Sequence, residues 1–155
     1  MLANTRIIGV GNDYRRDDAV GLVAARQLRE MALPGVTVLE KKGDAGELWE
    51  LWQDATPAIL IDAMHSGAAP GTVRRFDATR EPLPAACFHH PSSHAFGVAE
   101  SLELARTLGQ LPTQLLIYGI EGKIFAPGLG LSPEVAQALP RLMAQIRQDL
   151  GLSGP

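Results

Sequence analysis

Several things are scarce in this 155-residue chain, and each scarcity removes a class of protein. It has one cysteine, Cys87, so no internal disulfide can staple it, which fits a reducing compartment. No excess of basic charge is present: 14 Lys and Arg against 17 Asp and Glu leave a net charge of −3. That balance gives no electrostatic grounds for nucleic acid or an anionic membrane as partner. Long apolar runs are missing too. Ala58-Ile59-Leu60-Ile61 is among the most apolar stretches, and four residues are far too few to cross a bilayer. The first residues lack the apolar core of a secretory signal. A cytoplasmic protein is expected, most simply a monomer. No repeat, low-complexity block or linker divides the chain, so residues 1–155 read as one domain, large enough to bury roughly 70% of the surface its unfolded chain exposes.

Catalytic signatures are equally sparse. The sequence contains no His-Glu-x-x-His helix and no Gly-x-Ser-x-Gly elbow, which sets aside the common zinc-protease and serine-hydrolase layouts. Gly9-Val10-Gly11 resembles the start of a dinucleotide loop, but Tyr14 stands where a third glycine is required. Asp13, Asp17 and Asp18 would repel a pyrophosphate, and no Lys-Ser or Lys-Thr follows. Cys87 with a nearby histidine suggests thiol catalysis, but a single unactivated cysteine in an irregular stretch reads as inert.

What is present is an alternation of strand and helix patterns. Residues 6–10 form an apolar run closed by glycines. From Asp18, Val20, Val23, Ala24, Leu28 and Met31 recur at helical spacing until Pro34-Gly35. Asp17 suits the start of that helix, where free N–H groups favour negative charge. Residues 36–40 read as a second strand. Asp44 to Glu47 resembles a capping box ahead of a short helix with Leu48, Leu51 and Trp52 inward. Residues 58–62, ending on Asp62, read as a central strand buried on both faces. Residues 71–77 alternate as an edge strand, reached too quickly for a helical crossover. An irregular stretch, 78–90, precedes a helix from Val98 to Leu108, with Ser92 or Ser93 as its expected cap and Gly109 as its stop. A last strand covers 115–120, and Ser132-Pro133-Glu134 opens the final helix. Pro140 inside it predicts a kink or a break. The fold expected is α/β: a single three-layer domain with a mainly parallel twisted sheet of about five strands and helices on both faces.

Ligands of such sheets gather at the carboxyl ends of the strands. The first turn with Asp18, the end of the third strand with Asp62, and the loop with His94 can all reach that edge. Taken singly, each has an ordinary explanation: helix-dipole partner, solvated strand end, histidine bonded to backbone. His65, His89 and His90 compete with His94 as ligands. Asp62 is the least easily dismissed, because a carboxylate ending the most apolar strand must be solvated or paired. Two carboxylates with an imidazole suit a divalent nickel, zinc or iron ion better than magnesium.

The order of short motifs resembles the hydrogenase maturation proteases, the endopeptidases that trim the C-terminal tail of nickel-iron hydrogenase large-subunit precursors. The resemblance spans nearly the whole chain. It rests on Gly9-Val10-Gly11-Asn12 followed by Asp17-Asp18 and Gly21, on Gly43-Asp44-Ala45-Gly46-Glu47-Leu48, on Ile61-Asp62-Ala63, on Ser93-His94-Ala95-Phe96-Gly97, and on Tyr118-Gly119-Ile120-Glu121. It implies Asp18, Asp62 and His94 as metal ligands, Asp44 as an accessory substrate-contacting or catalytic residue, and nickel already inserted in the large-subunit precursor as the metal that is read. Two departures stand out. Ala19 replaces a glycine common in the family, and Asp18 replaces the commoner glutamate, shortening that ligand by one methylene. They leave room for an alternative, a non-catalytic, chaperone-like module that binds the precursor.

Overall fold

The computed structural model describes residues 4–43, 45–46, 48–53, 55–88 and 97–152. Five strands form one sheet in the order β2-β1-β3-β5-β4. They are β1 (Thr5–Gly11), β2 (Val36–Lys42), β3 (Ala58–Met64), β4 (Val73–Asp77) and β5 (Leu115–Glu121). The first, second, third and fifth run parallel, and β4 pairs antiparallel with β5. The expected edge strand is thus an edge strand, entered by a short connection that parallel pairing could not have used.

Alternation along the strands decides which helix each face receives. Ile7, Ile59, Ile61, Leu116, Tyr118 and Ile120 point to one side, where α1 (Val20–Glu30) and α3 (Pro133–Asp149) cover them with Ala24, Leu28, Val135, Leu142 and Ile146. Ile8, Val10, Leu60, Met64, Leu115 and Ile117 point to the other, against α2 (Val98–Thr107) and the 3-10 turns Leu48–Glu50 and Ala85–Phe88. Every residue of β3 and of β5 is buried, as a parallel strand covered on both faces must be. Among the described residues, no helix is long and apolar enough to cross a membrane.

Local departures from the expected pattern have physical reasons. The first helix begins at Val20, because residues Arg16–Ala19 form a tight 3-10 turn. The helix expected around Leu48 is only a 3-10 turn, although Leu48 and Trp52 are buried as anticipated. Gly97, in extended conformation, is the N-cap of α2; Ser92 and Ser93 lie outside the described residues. Gly109 ends that helix at φ +67°. The last helix runs through Pro140 as a single helix. The missing N–H of Pro140 is tolerated because Ala138, Leu139, Leu142, Met143 and Ile146 bury an inner face on both sides of it.

Candidate active site at the carboxyl edge of the sheet

Because β2, β1, β3 and β5 are parallel, Lys42, Gly11, Met64 and Glu121 end at one edge. The chain leaving β1 there turns very tightly. A methyl group on Gly11 would lie 2.1 Å from the Asp18 carbonyl oxygen, and one on Gly21 would lie 2.3 Å from the Ile61 carbonyl and 2.4 Å from that of Val10. Only glycine permits these approaches. They seat the Arg16–Ala19 turn directly on the ends of β1 and β3, so the glycines serve close packing of this turn.

The consequence is electrostatic. Asp62 is 4% exposed, and its Oδ1 accepts the N–H of Ala63 at 2.8 Å. Burial drives its pKa well above the ordinary carboxylate range, and the charge on Asp18 drives it further, against the opposing effect of that hydrogen bond. Asp18 is itself pushed up to about 6 by burial, with Arg15 and a backbone N–H of Asn12 pulling the other way. Two carboxylates that repel each other are therefore held together by packing at the sheet edge. Such a pair prefers to share a proton or to face a cation.

The other candidates stand as follows. His94, His89, His90 and Asp44 lie outside the described residues. Among the described residues, no group of three His, Cys, Asp or Glu side chains converges to hold a metal. The structure thus brings Asp18 and Asp62 together and leaves the third arm of the expected clamp undescribed. His65 is exposed; its N–H donates to the Cys87 carbonyl at 2.8 Å and its ring meets Phe125 edge-on at 5.3 Å. Cys87 is buried, its Sγ 3.6 Å from an Arg74 guanidinium nitrogen.

Asp17 differs from the helix-dipole partner expected of it. Its side chain is fully buried and points across the edge to the segment after β5. Oδ2 accepts the N–H groups of Lys123 and Ile124 at 2.8 and 2.9 Å and the Ser132 hydroxyl at 2.7 Å, while Oδ1 accepts the Ser132 N–H at 2.7 Å. Burial disfavours the charge, but these four donors outweigh it and hold the pKa below the usual value. Glu121, 1% exposed, is also multiply hydrogen-bonded: its carboxylate accepts the Ser66 hydroxyl at 2.5 Å, the Ser66 N–H at 2.9 Å and the Gly67 N–H at 3.3 Å. Sequence reasoning missed both roles. A carboxylate whose partners lie more than fifty residues away leaves no local pattern. Asp13 is held lower by the Arg26 guanidinium, in a surface network with Glu40, Arg29 and Lys42 that ties α1 to β2.

Comparison with known proteins gives the family. A family model described as hydrogenase maturation protease matches residues 23–149. The hydrogenase 2 maturation protease of Escherichia coli (strain K12) is 30% identical over 151 residues, covering 96% of this chain and 91% of the relative. A Methanothermobacter thermautotrophicus protein, coenzyme F420 hydrogenase subunit delta, is 27% identical with 97% of each chain covered. Among solved structures, the hydrogenase maturating endopeptidase HybD from E. coli superposes with a TM-score of 0.79 at 27% identity, covering 97% of this chain and 94% of that one. The chain therefore belongs to the hydrogenase maturation protease family.

Proposed function

We propose that this chain is an endopeptidase that removes the C-terminal tail of a nickel-iron hydrogenase large-subunit precursor after nickel insertion, and that it uses the substrate's own nickel for recognition. One observation supports the metal part above the others: Asp18 and Asp62 meet at the carboxyl edge, where burial raises both pKa values and the charge on Asp18 raises that of Asp62 further. Arg15 offsets Asp18 only in part. A divalent cation carried in by the precursor would offset that repulsion. Carboxylate oxygens from Asp18 and Asp62 with an imidazole from His94 make a donor set that fits nickel, zinc or iron. Three protein ligands leave positions for atoms of the precursor.

The reaction is hydrolysis of one peptide bond. Water adds to the scissile carbonyl, the C–N bond breaks, and the tail leaves with a new amino group while the large subunit keeps a new carboxylate. A metal at this site would polarise the carbonyl or acidify the attacking water. The chain's residues bind and orient the substrate's metal, and Asp18 or Asp62, with pKa values lifted toward neutrality, is suited to take the water's proton. Asp44 is assigned an accessory contact with the substrate on the basis of the Gly43-Asp44 motif.

The test is direct. Nickel-loaded and nickel-free precursors are incubated with the protein, and the products are weighed by mass spectrometry. Cleavage of the loaded form alone is expected. Equal cleavage of both removes the nickel-reading part; no cleavage of the correct partner removes the activity. A second reading, a non-catalytic module that grips the precursor, is favoured by one fact: the relative matched from end to end in Methanothermobacter is named as a hydrogenase subunit. His94→Ala separates the two. Lost cleavage with retained binding supports the protease, whereas a wild type that binds and never cuts supports the module.

A further inference from the structure

The two carboxylates of the site reach the sheet edge on separate loops, and both loops are fastened to a single third segment. Asp18 follows Asp17, whose carboxylate takes hydrogen bonds from Lys123, Ile124 and Ser132. The backbone repeats the connection: Asp17 N–H donates to the Ile124 carbonyl at 2.9 Å, Gly128 N–H to the Tyr14 carbonyl at 2.8 Å, and Arg16 N–H to the Gly128 carbonyl at 3.2 Å. Arg16 itself sits at φ +49°, a conformation that costs a non-glycine residue energy and persists where surroundings impose it. Its Nε donates to the Gly130 carbonyl at 2.8 Å. On the other side, Asp62 is two residues from the end of β3, and the loop after it is held by Glu121 through Ser66 and Gly67. Gly122 N–H donates to the Met64 carbonyl at 3.0 Å.

We propose that Asp17 and Glu121 are positioning residues, which lock the Asp18 turn and the post-β3 loop to the common segment 121–132 and so set the spacing of Asp18 and Asp62. The Ser132 hydroxyl supports this independently. Ser132 is the N-cap of α3, yet its side chain makes no capping bond to that helix; the hydroxyl is turned to Asp17 instead. An N-cap serine normally satisfies its own helix. Here it is diverted to a carboxylate 115 residues away in sequence, and the helix forgoes a local bond in favour of a fixed turn. Asp17 and Glu121 are both buried, and the two Asp17 oxygens already accept four hydrogen bonds from the protein, so the role is to hold other groups. Metal ligands and reacting groups placed about 1 Å wrong cost on the order of a hundredfold in rate, and a spacing defined by two buried carboxylates against one segment is resistant to such drift.

The kinetic part of this proposal rests on the processing activity proposed above, and the experiment keeps the two apart. Ser132→Ala removes one donor to Asp17 while its backbone donors remain, so the variant is expected to fold; Asp17→Asn is the stronger change. Steady-state processing of nickel-loaded precursor is measured together with hydrogen exchange of the unliganded protein. For Ser132→Ala, kcat falls about tenfold with KM within about twofold, a partial version of the misplacement penalty, and amides of residues 12–18 exchange faster while those of β3 do not. Ser132→Thr, which keeps the hydroxyl, restores both. Tyr118→Phe, a buried hydroxyl deletion on the α3 side, serves as a control for lost stability and leaves kcat unchanged. Unchanged kcat in Ser132→Ala, or an equal fall in Tyr118→Phe, overturns the proposal. Should the wild type fail to cut, the processing activity fails on its own, and exchange decides alone: unaltered protection of residues 12–18 in both Ser132→Ala and Asp17→Asn overturns the positioning role.

Discussion

Replacing Asp62 by asparagine should make the free protein more stable while abolishing its processing activity. The substitution keeps volume, and the new side-chain oxygen can still accept the Ala63 N–H now bonded at 2.8 Å. It removes a charge that is buried and faces Asp18. The ordinary aspartate value is 3.8, and in the folded protein Asp62 lies well above it. A carboxyl whose pKa is raised by folding binds more protons folded than unfolded, so it costs nothing below pH 3.8 and costs progressively more as pH rises toward its folded pKa. Each pH step in that window is worth about 1.4 kcal/mol, so the ceiling at pH 7 is about 4 kcal/mol. The amide nitrogen of asparagine must find an acceptor or be left without one, a loss of about 1 kcal/mol or more. The net gain at pH 7 lies below that ceiling by at least the amide's loss, and it reads as a rise in Tm. Urea or thermal unfolding with a chelator present, at pH 4.5 and pH 7, measures it. The advantage of Asp62→Asn should be small at the lower pH and grow at the higher. A variant less stable than wild type at pH 7, or an advantage that shrinks as pH rises, would refute the picture of two carboxylates forced together.

Three further outcomes follow from the same coordinates. Asp18→Asn should also stabilise the free protein above pH 6 and not below pH 3.8; raising a carboxyl to about 6 corresponds to about 3 kcal/mol, reduced to about 1–2 because Asp18 is partly open to solvent, and the same unfolding curves report it. Gly21→Ala should destabilise by at least about 2 kcal/mol in urea, since the new methyl meets two backbone carbonyls that cannot move independently of β1 and β3. Tyr118→Phe should cost about 1 kcal/mol in the same assay by deleting the hydroxyl that donates to Asp149, a carboxylate also held by Arg75.

The parts of this molecule that local sequence reveals are those whose causes are local. The all-buried β3 shows as a continuous apolar run, α1 as a periodic face, β4 as an alternating run too close behind β3 for a crossover. Asp62 was conspicuous for the same reason, a charged residue ending the most apolar strand. Asp17 and Glu121 were not conspicuous. A carboxylate beside a helix start looks the same whether it faces the dipole of α1 or takes four hydrogen bonds from the β5–α3 connection, and only the fold chooses between them. The 3-10 turn at Arg16–Ala19 was hidden similarly: its residues fit a helix by periodicity, and it tightens because Gly11 and Gly21 let it press onto two strands at once.

That tightening explains how one turn can hold two neighbouring aspartates in opposite states. Asp17 and Asp18 share a backbone environment and a parent strand, yet the first is held below the ordinary carboxylate range and the second is lifted to about 6. Burial opposes ionisation in both. Asp17 meets four donors from the segment after β5, which outweigh its burial, whereas for Asp18 burial outweighs the opposing effects of Arg15 and the Asn12 N–H. Donors from the segment after β5 thus hold the residue that anchors the turn. On the proposed reading, the free site is destabilised by the same repulsion that a metal-bearing precursor relieves, so a precursor lacking its metal gains nothing from docking at this edge.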